Sequence, residues 1–202
     1  MRPIERALRG HGYQVLNLRY ESRRADIATL AAEVAAAIDA WNATEQLDFV
    51  AHSLGAIVLR AAVADALLPS KRIRRAVMLG PPNRGSELAD VLPKLPVVGQ
   101  LYTRYFGPAG GELGTDPSSV PSRLPPPTFQ VGVIAGTKTL NPFTSRILGG
   151  ENDGTVRIDR VTLDGVMDTL FVPHSHSMLM ASPVVREQTL YFLDSGHFRR
   201  DP

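Results

Sequence analysis

The chain of 202 residues contains no cysteine. That excludes disulfides, a thiol nucleophile and cysteine-ligated zinc or iron–sulfur centres. Lysine is scarce, occurring only at Lys71, Lys94 and Lys138, so arginine carries nearly all the positive charge. The net charge is only +2. So small an excess argues against nucleic acid or an anionic membrane as a partner. No apolar run reaches the roughly 18 residues that a membrane-spanning helix needs. The opening stretch MRPIERALRGHGYQ lacks a hydrophobic h-region, so the chain as written is expected in the cytoplasm. What is present is an ordinary apolar fraction of 44%, enough for a substantial core in one domain spanning 1–202.

Hydrophobic periodicity divides the chain into alternating elements. Residues 2–9 read as a helix ended by Gly10 and Gly12, and YQVLNLRY at 13–20 reads as a strand. Asp26 is a candidate N-cap for a helix over 27–42, with Leu30, Val34, Ile38 and Trp41 at helical spacing. LDFVA at 47–51 is a short strand, and a helix over 57–68 stops at Pro69. RRAVMLG at 74–80 is apolar without alternation, as expected of a strand covered on both faces. From 92 to 127, eight prolines and the patch GPAGGELG break the pattern. One amphipathic helix is expected within 95–107, and the whole stretch reads as a cap-like or lid-like insertion over the sheet edge. The alternation resumes with a strand at 130–136, a loop to about 155, a short turn near 157–161, a strand at 168–173 and a closing helix at 182–196. This order calls for an α/β fold, a mostly parallel sheet flanked by helices.

The most informative stretch is LDFVAHSLGAIVLR, where Ser53 sits at an abrupt strand-to-helix junction. A nucleophilic serine must stand proud of the sheet, and a sharp turn lifts it there at the cost of backbone strain. The strand and helix backbones then approach closely, so the positions two before and two after must be small; here they are Ala51 and Gly55. The helix N-terminus faces the serine oxygen, and the N–H of Leu54 is a candidate oxyanion donor. A plain helix N-cap is the competing reading of Ser53. His52, adjacent to it, is read as a loop-packing residue whose geometry directs it away from the serine oxygen.

In this architecture an acid and a base follow in the order serine, carboxylate, histidine. Asp153, in GENDGTV after the strand at 130–136, is the candidate acid, with Glu151 and Asp159 behind it. An ordinary Asp-Gly turn would explain Asp153 equally well in isolation. PHSHSMLM after the last strand offers His174 and His176 as the base, and spacing does not separate them. As metal ligands the two would form a fragment without a third partner. No metal or cofactor is called for.

FVAHSLGAIVLR, VMLGPPNRGSELAD, VGVIAGTKTLNP, GENDGTV and VPHSHSMLMASPVV together resemble the α/β-hydrolase superfamily, in particular its bacterial lipase and esterase-like serine hydrolases. The resemblance covers nearly the whole chain. It implies that the base is the histidine two residues before the Met-Leu pair, His176. One departure stands out. Such hydrolases carry a strand and a His-Gly-type loop before the first helix, and that loop supplies the second oxyanion donor. The sequence as written begins almost at the helix, so neither is expected within it and a gap in the sheet is expected, with an incomplete start, a donor from elsewhere or lost activity as the open explanations. Loss of one donor costs on the order of 100- to 1000-fold in turnover. An exposed sheet flank also favours self-association, so a homo-oligomer is expected.

The first functional reading is a carboxylic ester hydrolase with Ser53, His176 and Asp153 as a triad and a small-molecule ester as substrate. Tyr102, Tyr105 and Phe106 in the insertion are expected to line or cover an apolar acyl pocket. The same triad would serve an acyltransferase or thioesterase. The reading from another class is a non-catalytic hydrolase-fold protein that binds an apolar ligand or a partner.

Overall fold

In a computed structural model that describes residues 1–41 and 46–200, the apolar runs assemble into a parallel sheet. Its strands are β1 (Leu47–His52), β2 (Ile73–Leu79), β3 (Gln130–Gly136) and β4 (Val166–Val172), in the order β1-β2-β3-β4. The central register sets Ala76 opposite both Phe49 and Val131. Side chains alternate across a strand, so each face builds its own core. Ala76, Met78, Val131 and Val133 pack on one face with Leu30 and Ile57. Val77, Leu79 and Ile134 pack on the other with Ile4, Leu8 and Phe192. Both faces are covered, which is why AVML shows no alternation.

Four helices provide that cover. α1 (Arg2–Gly10) and α8 (Pro183–Ser195) lie on one face, and α2 (Ile27–Ala40) and α3 (Leu54–Ala64) on the other. Asp26 caps α2 by accepting from the Thr29 N–H at 2.8 Å. The expected end of this helix at residue 42 lies outside the described residues. α3 begins three residues earlier than the periodicity suggests, directly after Ser53, and ends at Ala64 rather than 68. Its first turn is Leu-Gly-Ala, which carries little periodic signal.

Two further segments depart from expectation. Residues 13–20 join no sheet: Tyr13 N–H donates to Leu8 and the Arg9 guanidinium to the Val15 carbonyl, but no ladder forms. Alternation can suggest an extended segment; a strand also needs a neighbour to exchange N–H and C=O groups with. Among the described residues β1 pairs with β2 alone, and all six of its residues are only half-buried. The second departure is a helix, α7 (Pro142–Leu148), within the stretch read as loop; the Asn141 side chain caps it by accepting from Phe143 N–H.

Between β2 and β3 the chain forms α4 (Glu87–Val91), α5 (Val98–Gly111) and α6 (Val120–Arg123). The helix expected within 95–107 is the first part of α5, which kinks at Gly107 before Pro108. Arg60, in the middle of α3, fastens this region to the body of the fold. Only 4% exposed, its guanidinium donates to the Asn83 carbonyl at 3.0 Å and the Leu124 carbonyl at 2.9 Å, with longer bonds to Pro121 and Pro125. Burial pulls its pKa down to about 10, so it remains charged at neutral pH. Removing it strands buried carbonyls. Arg60→Leu should therefore lower the unfolding free energy by about 2–4 kcal/mol, read from urea denaturation.

Candidate active site

Ser53 occupies the bend between β1 and α3 with φ +53° and ψ −123°. Few residues other than glycine adopt a positive φ, and doing so costs on the order of 1–3 kcal/mol. The strain is held from both sides. Ser53 N–H extends the β1–β2 ladder to the Leu79 carbonyl at 2.9 Å, while its own carbonyl accepts from Ala56 N–H at 3.0 Å. A serine acting as an N-cap would accept an N–H with its side chain; this hydroxyl does not. It makes no hydrogen bond among the described residues, His176 included. The N–H groups of Leu54 and Gly55, in the first turn of α3, have no intrahelical acceptor.

Asp153 and His176 meet. Asp153 is 2% exposed, and one of its oxygens accepts from the N–H groups of Thr155 at 2.9 Å and Val156 at 2.8 Å. Its other oxygen lies 2.7 Å from His176 Nδ1. An ionised carboxylate only accepts, so Nδ1 carries the proton and Nε2 is left as the acceptor. The backbones are joined as well, His176 N–H donating to the Asp153 carbonyl at 2.9 Å. Glu151 is exposed and Asp159 pairs with Arg157, so neither reaches this ring.

The histidine left open by spacing faces elsewhere: His174 Nε2 is 2.9 Å from Ser182 Oγ, the N-cap of α8. The ring of His176 instead rests over the ends of β1 and β2. A Cβ on Gly80, the residue after β2, would lie 2.9 Å from His176 Nδ1, so only glycine admits the ring. On its other side His52 packs at 4.7 Å between ring centroids. His52 Nε2 donates to the His176 carbonyl at 3.2 Å, which holds the loop that carries His176. This agrees with a loop-packing role for His52, but its contact with His176 was not legible in the sequence.

The aromatic residues of α5 form a cluster of their own. Tyr102 is buried, with its hydroxyl donating to the Gly110 carbonyl at 3.0 Å, and Phe106 packs on it at 4.6 Å. Tyr105 and Phe106 are exposed, and Arg23 lies over the Tyr105 ring. Among the described residues no group of three or more His, Asp or Glu could hold a metal ion. No helix among them is long and apolar enough to cross a membrane.

Burial, reinforced by the neighbouring His176, lowers the pKa of His52 from 6.5 to about 4. Between those values the unfolded chain binds more protons than the folded one, so stability rises with pH. Acidification from pH 6.5 towards 4 should therefore destabilise the protein, and His52→Asn should flatten that part of the profile in urea unfolding.

Neither protein-family models nor curated proteins give a match to this sequence. Solved structures do. The mature lipase BlEst2 of Bacillus licheniformis aligns with a TM-score of 0.65 at 18% identity, over 86% of this chain and 75% of that one. The metagenomic carboxyl esterase MGS0156 aligns with a TM-score of 0.64 at 20% identity, over 86% and 57%. Phospholipase PlaB from Legionella pneumophila aligns with a TM-score of 0.60 at 19% identity, over 78% and 40%. The chain thus spans between 40% and 75% of the length of these three. Together with the parallel sheet, its flanking helices and the serine bend at the end of β1, these likenesses establish that the chain has the α/β-hydrolase fold.

Proposed function

We propose that the chain is a serine hydrolase that cleaves carboxylic esters. The observation that carries this reading is the 2.7 Å contact between buried Asp153 and the ring of His176, next to a serine held in a strained bend. Asp153 fixes the tautomer of His176 and stabilises its charged form. His176 Nε2 takes the Ser53 proton as Oγ bonds to the acyl carbon. The Leu54 N–H stabilises the tetrahedral oxyanion. His176 then protonates the leaving alkoxide as the ester C–O bond breaks, giving the alcohol and an acyl-Ser53. Water, deprotonated by the same nitrogen, attacks that ester; the acid leaves and the proton returns to Ser53. For this the Ser53 hydroxyl must close on Nε2 when substrate binds; catalytic hydrogen bonds often tighten only then.

The exposed rings of Tyr105 and Phe106, supported by Tyr102, offer an apolar surface for the acyl chain. The names of the structural neighbours are in keeping with ester substrates. The same chemistry serves transfer to an alcohol, which product analysis with an added alcohol distinguishes from hydrolysis.

A fluorophosphonate probe should label Ser53 and leave Ser53→Ala unlabelled. A short-chain nitrophenyl ester should be hydrolysed, with Asp153→Asn lowering kcat on the order of 10⁴-fold. An unlabelled wild-type chain would instead return the protein to a binding role on a hydrolase fold.

A further inference from the structure

An oxyanion is stabilised best by two donors, and at Ser53 the chain position fixes only one, the Leu54 N–H. We infer that the phenol of Tyr20 is the second. This rests on the hydrolase reading above.

The geometry starts at Gly55, two residues after Ser53. Cα–Cβ bonds in a helix tilt towards its N-terminus. The place a Cβ on Gly55 would take lies where α3 approaches β1, 4.0 Å from the Ala51 Cβ. The Tyr20 hydroxyl lies 3.2 Å from that place. A real Cβ there would be tighter than ordinary contact, so glycine at 55 leaves room for the phenol as well as for the strand-to-helix turn. The Tyr20 ring packs against the same apolar cluster as Ala51 and Leu54, the residues flanking the bend. It is held there before any substrate arrives.

The hydroxyl is also free to donate. It makes no hydrogen bond among the described residues, although the ring is partly buried. Desolvation raises the Tyr20 pKa above its ordinary value of 10, so the phenol keeps its proton through the working range of a histidine base. A protonated phenol with no acceptor among the described residues, held against the residue two after Ser53, is a donor of the kind a developing oxyanion requires. This assignment also gives 13–20 a task. The segment joins no ladder, yet the Tyr13 and Val15 backbone is tied to α1, and its far end sets the Tyr20 hydroxyl against Gly55.

The test is a double-mutant cycle on nitrophenyl acetate hydrolysis with Tyr20→Phe, Gly55→Ala and the pair. Tyr20→Phe keeps the ring and its packing. It should lower kcat by about 100- to 1000-fold with KM nearly unchanged and the melting temperature preserved. Gly55→Ala should lower kcat by displacing the phenol, and the double variant should be no worse than Tyr20→Phe, because both changes remove one interaction. An unchanged kcat in Tyr20→Phe overturns the assignment. So does an effect confined to KM or melting temperature, or strict additivity in the cycle. If Gly55→Ala does not fold, Tyr20→Phe decides alone. Fluorophosphonate labelling separates the two levels: a wild-type chain unlabelled at Ser53 sinks the hydrolase reading and Tyr20 with it, whereas a labelled, active wild type matched by Tyr20→Phe sinks Tyr20 only.

Discussion

The left-handed backbone at Ser53 is the constraint around which the rest is arranged. A residue with a Cβ does not stay at φ +53° unaided, and here the restraint comes from both directions: the β1–β2 ladder runs on through its N–H to Leu79, and α3 starts at the next residue. Both anchors belong to the buried centre of the fold, where Leu79 is fully enclosed and α3 buries nearly its whole middle. The cost of the bend is thus borne by packing that the domain needs anyway. In return the serine hydroxyl is freed from capping duty at a helix end whose N–H groups remain open.

The carboxylate and imidazole arrive by a different logic. Each sits on a loop after a strand, β3 for Asp153 and β4 for His176, and parallel pairing brings those strand ends side by side. The two backbone N–H bonds to Asp153 compensate for burying its charge, and its second oxygen is left for His176. Gly80 and His52 then close on the ring from opposite sides. His52, kept neutral by its surroundings, adds packing and a hydrogen bond without adding a competing charge.

The edge of the sheet is where pattern and structure part. Phe49, Val50 and Ala51 form an apolar run of the kind found in strands enclosed on all sides, yet among the described residues β1 has a neighbour on one side only. It carries no lysine, proline or bulge against further pairing along Asp48–His52, the usual protections of a free edge. Residues 13–20 lie extended but unladdered, fastened by single side chains and by α1. Arg60 is the counterpart at the other side of α3: an arginine among apolar helix residues looks like a solvent-facing charge until tertiary structure surrounds it with carbonyls.

From the sequence alone came the α/β order, the four apolar strands and the junction at Ser53, because periodicity and the small residues Ala51 and Gly55 are local properties of the chain. The carboxylate at 153 and the choice of a histidine after the last strand were legible as positions in that order. Distance was not. Which histidine faces Asp153, what His52 and Gly80 do for that ring, where Arg60 finds its partners and which hydroxyl stands over Gly55 all depend on how strand ends and loops meet in space. Those contacts join residues between 23 and 124 positions apart, and only the assembled sheet and its loops bring them together.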